Sequence, residues 1–86
     1  LVKGMAREGA ANHITVNGIR FGYIDSGFHA RWQNQTADQH ARRVAMIPLG
    51  RAGQVDEAAA LIVYLLSGYG AFITGQMMSL TGGDWL

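Results

Sequence analysis

The sequence predicts an α/β fold built as a strand–loop–helix–strand (βαβ) unit of a parallel sheet. Two short runs rich in β-branched or apolar residues, at 13–19 and 77–80, lie on either side of a helix-like stretch at 55–66. Strand, helix and strand in this order are typical of a parallel pair with a crossover helix, in a sheet that helices cover. Two strands alone leave open edges and apolar faces, so we expect the unit to be incomplete by itself.

Composition limits the class of protein. The 86 residues suffice for at most one small domain, and the 49% apolar fraction excludes a disordered tail. No stretch reaches the roughly 18 uninterrupted apolar residues of a membrane helix. A net charge of +1 without a basic run gives no reason to expect nucleic acid or a membrane surface as a partner. The absence of cysteine excludes disulfides and fits a cytoplasmic location.

The N-terminal residues carry a helical pattern followed by a strand pattern. The chain begins at Leu1 without a signal-peptide pattern, and we expect it to be a segment of a longer protein. Gly9 follows the apolar helical face as a candidate C-terminal stop. Residues 13–19 then place β-branched side chains in a short run, which predicts a strand ending near Arg20. The apolar residues of the helical face are Leu1, Val2, Met5 and Ala6.

A loop and a polar stretch follow the first strand. The loop contains small and turn-forming residues, and the stretch from Phe28 to Met46 has only a weak helical pattern without a clean apolar face. This predicts one or two helices there, before Pro48 and Gly50 break the chain again. The turn-forming residues of the loop are Gly22, Asp25, Ser26 and Gly27.

The clearest helical pattern covers Val55 to Leu66. Its apolar positions recur at helical spacing, and the acids Asp56 and Glu57 lie in the first turn, where they favour the helix dipole. A glycine-rich stretch then leads to a short apolar strand, Met77 to Leu80. The repeating apolar positions of the helix are Ala58, Leu61, Ile62, Leu65 and Leu66.

Eight short motifs occur along the chain in a fixed order. They are Ala6-Arg7-Glu8, Ile14-Thr15-Val16-Asn17, Gly22-x-Ile24-x-Ser26, Pro48-Leu49-Gly50-Arg51-x-Gly53, Glu57-x-Ala59, Leu65-Leu66-Ser67, Ile73-Thr74-Gly75-Gln76 and Gly82-Gly83. In order and spacing they resemble the C-terminal part of the short-chain dehydrogenase/reductase (SDR) family, in its ketoacyl-reductase-like branch. The resemblance covers residues 5–83.

The resemblance implies a Rossmann-type doubly wound parallel sheet that binds NAD or NADP. Residues 1–86 would be the C-terminal segment of that domain, and residues 27–47 its variable substrate-loop region. The implied activity is hydride transfer between the nicotinamide cofactor and a small carbonyl or alcohol substrate. The implied assembly is a homodimer or homotetramer, and the N-terminal half of the same fold would complete the sheet. The alternative is a non-catalytic remnant that acts as an assembly or scaffold piece.

The resemblance assigns no catalytic residue to this chain. In the family, the glycine-rich phosphate loop, the catalytic Ser, the Tyr-x-x-x-Lys pair and the catalytic Asn all precede the matched region. Lys3 is therefore not the catalytic lysine, and Asn17 belongs to the end of a strand. We expect the segment to be inactive in isolation.

The loop after the first strand is the predicted cofactor contact. In the family, Pro-Gly-x-Ile-x-Thr lies here against the nicotinamide, which assigns cofactor binding to Gly22, Ile24 and Ser26. Gly22 permits close backbone approach, the Ile24 backbone would hold the carboxamide, and Ser26 keeps a hydroxyl. Phe21 replaces the proline, which frees a φ angle and adds a ring. The alternative is an ordinary strand-to-loop turn.

Four further side chains are candidates for the substrate pocket because the family's variable loop lies there. For Trp32 there are two alternative roles, which are to cap the core or to make a subunit contact. Arg51 is expected to anchor a turn or a subunit contact by bidentate hydrogen bonds. The candidate pocket residues are Tyr23, Phe28, His29 and Trp32.

Two further groups of residues receive structural interpretations. The histidines His13, His29 and His40 lack metal-ligand spacing, so no metal is implied. Met77 and Met78 are interpreted as core or interface packing.

Overall fold

The computed structural model describes residues 1–85 and confirms the α/β class. Its helices and strands are α1 (Val2–Ala10), β1 (Gly18–Phe21), β2 (Ile24–Asp25), α2 (Phe28–Trp32), α3 (Ala37–Ala45), β3 (Gly53–Gln54), α4 (Val55–Leu66) and β4 (Met77–Leu80), with a 3-10 turn at Gly68–Gly70.

The strands form two parallel pairs. β1 pairs with β4 from Gly18 opposite Met77 to Phe21 opposite Leu80, which confirms the predicted parallel pair with α4 in its crossover. β2 pairs with β3, with Ile24 opposite Gly53. This second pair is only two residues long, and strand patterns in the sequence do not reveal it.

The first strand begins later than predicted. The β-branched run from 13 to 19 predicts a strand there, but β1 starts at Gly18, and side chains take part in the hydrogen bonds just before it. Val16 N donates to Thr74 Oγ1 at 3.1 Å, and Gln76 N donates to Asn17 Oδ1 at 3.1 Å. These two bonds join the segment before β1 to the segment before β4, but they are not part of the β1–β4 ladder.

Gly9 does not end the first helix, so that prediction is wrong. α1 continues through Ala10, and the chain turns at His13, whose φ is 60°. A Cβ on Gly9 would lie 3.0 Å from the carbonyl oxygen of Ile14. The glycine therefore serves the close approach of the returning chain.

The polar stretch forms two helices, α2 and α3. Thr36 caps α3 in a capping box: Gln39 N donates to Thr36 Oγ1 at 3.1 Å, and Thr36 N donates to Gln39 Oε1 at 2.9 Å. This reciprocal pair stabilises the first turn of α3. The predicted bounds of α4 and β4 agree with the structure.

The core is small, and much apolar surface stays exposed. One buried cluster, of Tyr23, Ile47 and Ala52, lies beneath α3. Val63 on α4 is 64% exposed and Tyr69 is 85% exposed. Exposed apolar side chains of this size are consistent with a unit that other elements complete. Among residues 1–85, no helix has the length and apolar character needed to cross a membrane.

Candidate functional site

The loop that follows β1 is fixed to the sheet by its backbone. Gly22 N donates to the Leu80 carbonyl at 2.9 Å, and Gly53 N donates to the Tyr23 carbonyl at 2.9 Å. A Cβ on Gly22 would lie 2.9 Å from Thr81 Cα. The glycine is therefore needed for the approach of the Thr81 backbone. The close approach predicted at Gly22 is thus made by the backbone of this chain, at Thr81.

Two clefts that border this loop contain the predicted site residues. The first, here the α4-side cleft, has a volume of about 330 Å³. Its lining brings together all three predicted cofactor residues and two predicted substrate residues, with apolar walls. The lining residues are Phe21, Gly22, Ile24, Ser26, Phe28, His29, Val55 and Ala58.

The second, here the α3-side cleft, has a volume of about 280 Å³ and shares Ile24, Ser26 and His29 with the first. Tyr23, Gln35 and His40 also line it. Parallel sheets in α/β proteins bind ligands in crevices outside the carboxyl ends of their strands. Both clefts lie beside the loop that leaves the carboxyl end of β1.

The Tyr23 side chain is the centre of a polar network in the α3-side cleft. Tyr23 is 8% exposed, and its hydroxyl lies 2.7 Å from Gln35 Oε1 and 2.8 Å from His40 Nδ1. The His29 ring centroid lies 5.2 Å from the Tyr23 ring centroid. The Arg43 guanidinium carbon lies 5.2 Å from the same ring, a cation–π distance.

The remaining predicted pocket residues are placed differently. Phe28 packs edge-on against His29, with ring centroids 5.6 Å apart, at the edge of the α4-side cleft. His29 Nδ1 lies 2.7 Å from Gln33 Oε1. Trp32 is 71% exposed and is not among the residues that line either cleft. The structure therefore groups Tyr23, Phe28 and His29 and leaves Trp32 apart.

The Ser26 hydroxyl makes only one long hydrogen bond. Its Oγ accepts a hydrogen bond from Phe28 N at 3.4 Å, which is long for this kind of contact. Within residues 1–85, the Ser26 hydroxyl proton has no hydrogen-bond acceptor. The group is therefore able to donate to a ligand in the α4-side cleft.

Sequence reasoning missed Gln35 and His40. The Thr36-x-x-Gln39 capping signature was visible and would have placed the start of α3, with His40 in its first turns. No local signal indicates that either side chain meets Tyr23, because that contact depends on how α3 packs.

Two charged pairs lie in the segments next to the site. Arg51 makes the predicted bidentate contact, to Glu57 at 2.7 and 2.9 Å. The hydrogen bonds from Arg51, and then the one from Gln54 N, lower the pKa of the Glu57 carboxyl to about 2. Arg43 pairs with Asp84, whose side chain is 9% exposed, at 2.5 Å. No group of three metal-ligating side chains lies together in the part of the chain that the structure describes.

Comparison with protein-family models gives a match over nearly the whole chain. The model described as "Enoyl-(Acyl carrier protein) reductase" matches residues 1–84. The chain is 40% identical over 83 residues to acetoacetyl-CoA reductase of Shinella zoogloeoides, covering 96% of this chain and 34% of that protein. It is 35% identical over 84 residues to 2,3-dihydroxy-2,3-dihydro-p-cumate dehydrogenase of Pseudomonas putida, covering 98% of this chain and 32% of that protein.

Two solved structures resemble the fold closely. One is YwfH, described as an NADPH dependent reductase involved in bacilysin biosynthesis, with a TM-score of 0.83 and 30% identity over 96% of this chain and 34% of that one. The other is a blue fluorescent protein from a metagenomic library in complex with NADPH, with a TM-score of 0.83 and 25% identity over 99% of this chain and 33% of that one. The chain thus spans about a third of the length of the proteins it matches.

Proposed function

The chain belongs to the short-chain dehydrogenase/reductase family, and we propose that its protein transfers hydride between NAD or NADP and a small carbonyl or alcohol substrate. The observation that carries the proposal is the loop after β1. It is fixed to the sheet, and it presents Gly22, Ile24 and Ser26 together in the α4-side cleft.

The residues of this loop fit a nicotinamide carboxamide. The Ser26 hydroxyl would donate to it, and the backbone around Ile24 would hold it at a fixed distance from the sheet. The bound cofactor supplies the hydride. The loop residues bind and orient it, and the proton-transfer residues of the family lie outside this segment.

The substrate would lie beside the cofactor loop, towards the α3-side cleft. Because Ile24, Ser26 and His29 line both clefts, a molecule in one adjoins a molecule in the other. Tyr23 and His29 are the predicted substrate residues best placed for such a contact, and Phe28 borders the cofactor side.

Completion and assembly of the fold are part of the proposal. The small sheet would be completed by the N-terminal half of the same fold. A homodimer or homotetramer would bury the exposed apolar residues of α4 and β4, among them Val63, Tyr64 and Met77.

Cofactor titration tests this function in the protein produced from its complete gene. The wild type should bind NADPH or NADH and reduce acetoacetyl-CoA or a related carbonyl compound. Ser26→Ala should raise the cofactor Kd about two- to twelvefold, because one net hydrogen bond contributes about 0.5–1.5 kcal/mol.

Ser79→Ala is the matched control. It removes a hydroxyl that accepts from Arg20 outside both clefts, so the Kd should not change. Failure of the wild type to bind either cofactor would overturn the proposal in favour of the scaffold alternative. Equal Kd values for wild type and Ser26→Ala would remove the loop from the cofactor site.

A further inference from the structure

The backbone around Tyr23 is hydrogen-bonded to the sheet, whereas the Tyr23 side chain contacts residues outside the sheet. The neighbouring amide of Gly22 bonds to Leu80, the Tyr23 carbonyl accepts from Gly53, and Ile24 pairs with Gly53 in the β2–β3 ladder. Moving this backbone would break bonds to two other strands. The sheet therefore fixes the position of the Tyr23 backbone.

The helices α2 and α3 both pack against the Tyr23 ring. The Tyr23 ring lies 5.2 Å from the His29 ring of α2 and 5.4 Å from the His40 ring of α3, measured between centroids. Arg43 of α3 stacks over the same ring. One buried side chain thus contacts both helices of the predicted substrate loop.

The hydroxyl group of Tyr23 adds two directed contacts. Gln35, in the connection between α2 and α3, presents Oε1, which accepts the hydroxyl proton at 2.7 Å. His40 Nδ1 then carries a proton and donates to the hydroxyl oxygen at 2.8 Å. The three groups form a continuous donor–acceptor chain that holds the connection and α3 to the sheet.

We propose that this chain of Tyr23, Gln35 and His40 positions the α2–α3 connection and α3 over the α3-side cleft and thereby shapes the cleft for its substrate. This inference rests on the proposed function for the identity of the site. With the hydrogen bonds made, the cleft of about 280 Å³ admits a compact carbonyl or alcohol group. Gln35 and His40 line the cleft themselves, and through their bonds to Tyr23 they also act as positioning residues for the segment that carries them.

The inference separates substrate effects from cofactor effects. Gln35 and His40 do not line the α4-side cleft, and the backbone of the cofactor loop is fixed by the sheet without them. Loss of the hydroxyl contacts should therefore loosen the connection between α2 and α3 together with α3, none of whose residues line the α4-side cleft, and leave the cofactor Kd unchanged. A general loss of stability would change both.

Amide hydrogen exchange of residues 33–45, in the protein from its complete gene, tests the contact directly. Tyr23→Phe and His40→Leu should each speed exchange there about two- to tenfold, while α4 is unaffected. The effects should not add in the double variant, whose exchange should be close to that of Tyr23→Phe, because Tyr23→Phe already removes the bond to His40. His40→Asn should restore slow exchange, since its amide nitrogen replaces Nδ1. Tyr69→Phe, at a tyrosine that is 85% exposed, is the control.

The KM for acetoacetyl-CoA and the NADPH Kd complete the test. The KM should rise in Tyr23→Phe and His40→Leu and recover in His40→Asn, with one NADPH Kd throughout. Exchange in Tyr23→Phe equal to wild type, or additive effects in the double variant, would overturn the positioning role. Faster exchange with an unchanged KM would overturn the role in substrate binding. Failure of the wild type to bind NADPH would overturn the proposed function, and the exchange comparison would still decide the positioning role.

Discussion

The Arg51 guanidinium holds both carboxylate oxygens of Glu57, with Nη1 to Oε1 at 2.7 Å and Nη2 to Oε2 at 2.9 Å. Arg51 Nη1 also donates to the Ala52 carbonyl at 3.1 Å, and Gln54 N donates to Glu57 Oε1 at 3.0 Å. This network connects the turn before β3 to the first turn of α4. It fixes the start of the helix that carries one wall of the α4-side cleft.

Glu57 should contribute stability that depends on pH. Its folded-state pKa of about 2 lies below the value of about 4.3 expected in the unfolded chain. The contribution is therefore fully present above about pH 4.3 and is lost as the pH falls through about 2. Glu57→Gln should be slightly less stable than wild type at pH 7, and the difference should shrink towards pH 2.

Urea unfolding at several pH values measures this difference. We expect it to be small because the pair is exposed to solvent. Asp56→Asn is the control for the helix-dipole effect, since that neighbouring carboxylate also lies in the first turn of α4 but makes no hydrogen bond among residues 1–85. A Glu57→Gln difference that is constant from pH 7 to pH 2 would contradict the assignment.

Two glycine substitutions should have opposite effects on stability. Gly22→Ala places a Cβ 2.9 Å from Thr81 Cα, and the resulting overpacking should destabilise the fold by about 1–3 kcal/mol. Gly4→Ala, in α1, meets nothing within 4 Å and should stabilise it by about 0.5–1 kcal/mol. Thermal unfolding of both variants checks the pair. A Gly22→Ala protein as stable as wild type would show that the approach of Thr81 is not tight.

A charge on the exposed face of α4 should weaken self-association. If Val63 lies at a two-fold contact, Val63→Glu would bring two carboxylates together without a counter-ion. The mass from light scattering should then fall towards that of a monomer. Met46→Glu, on an exposed methionine after α3, should keep the wild-type mass. An unchanged mass for Val63→Glu would place the interface elsewhere.

The parts of the fold that the sequence predicts well are those with local signals. α4 has apolar positions at helical spacing and acids in its first turn, and the structure agrees with both of its predicted bounds. The motif order was sufficient to identify the family.

The parts that the sequence could not predict depend on distant contacts. β1 starts later than predicted, and just before it Thr74, more than fifty residues away, takes the hydrogen bond of Val16. The contacts of Tyr23 with Gln35 and His40 arise from the packing of α3, for which the residues give no periodic signal. The assignments of Gly22, Ile24 and Ser26 to the cofactor, and of Trp32 to the substrate pocket, stay predictions.

The most direct test of the cofactor assignment is amide exchange of the complete protein with and without NADPH. The account predicts that the cofactor protects the backbone from Gly22 to Ser26, while the exposed loop around Tyr69 exchanges equally in both states. Binding of NADPH without protection of Gly22 to Ser26 would contradict the central claim that this loop contacts the cofactor.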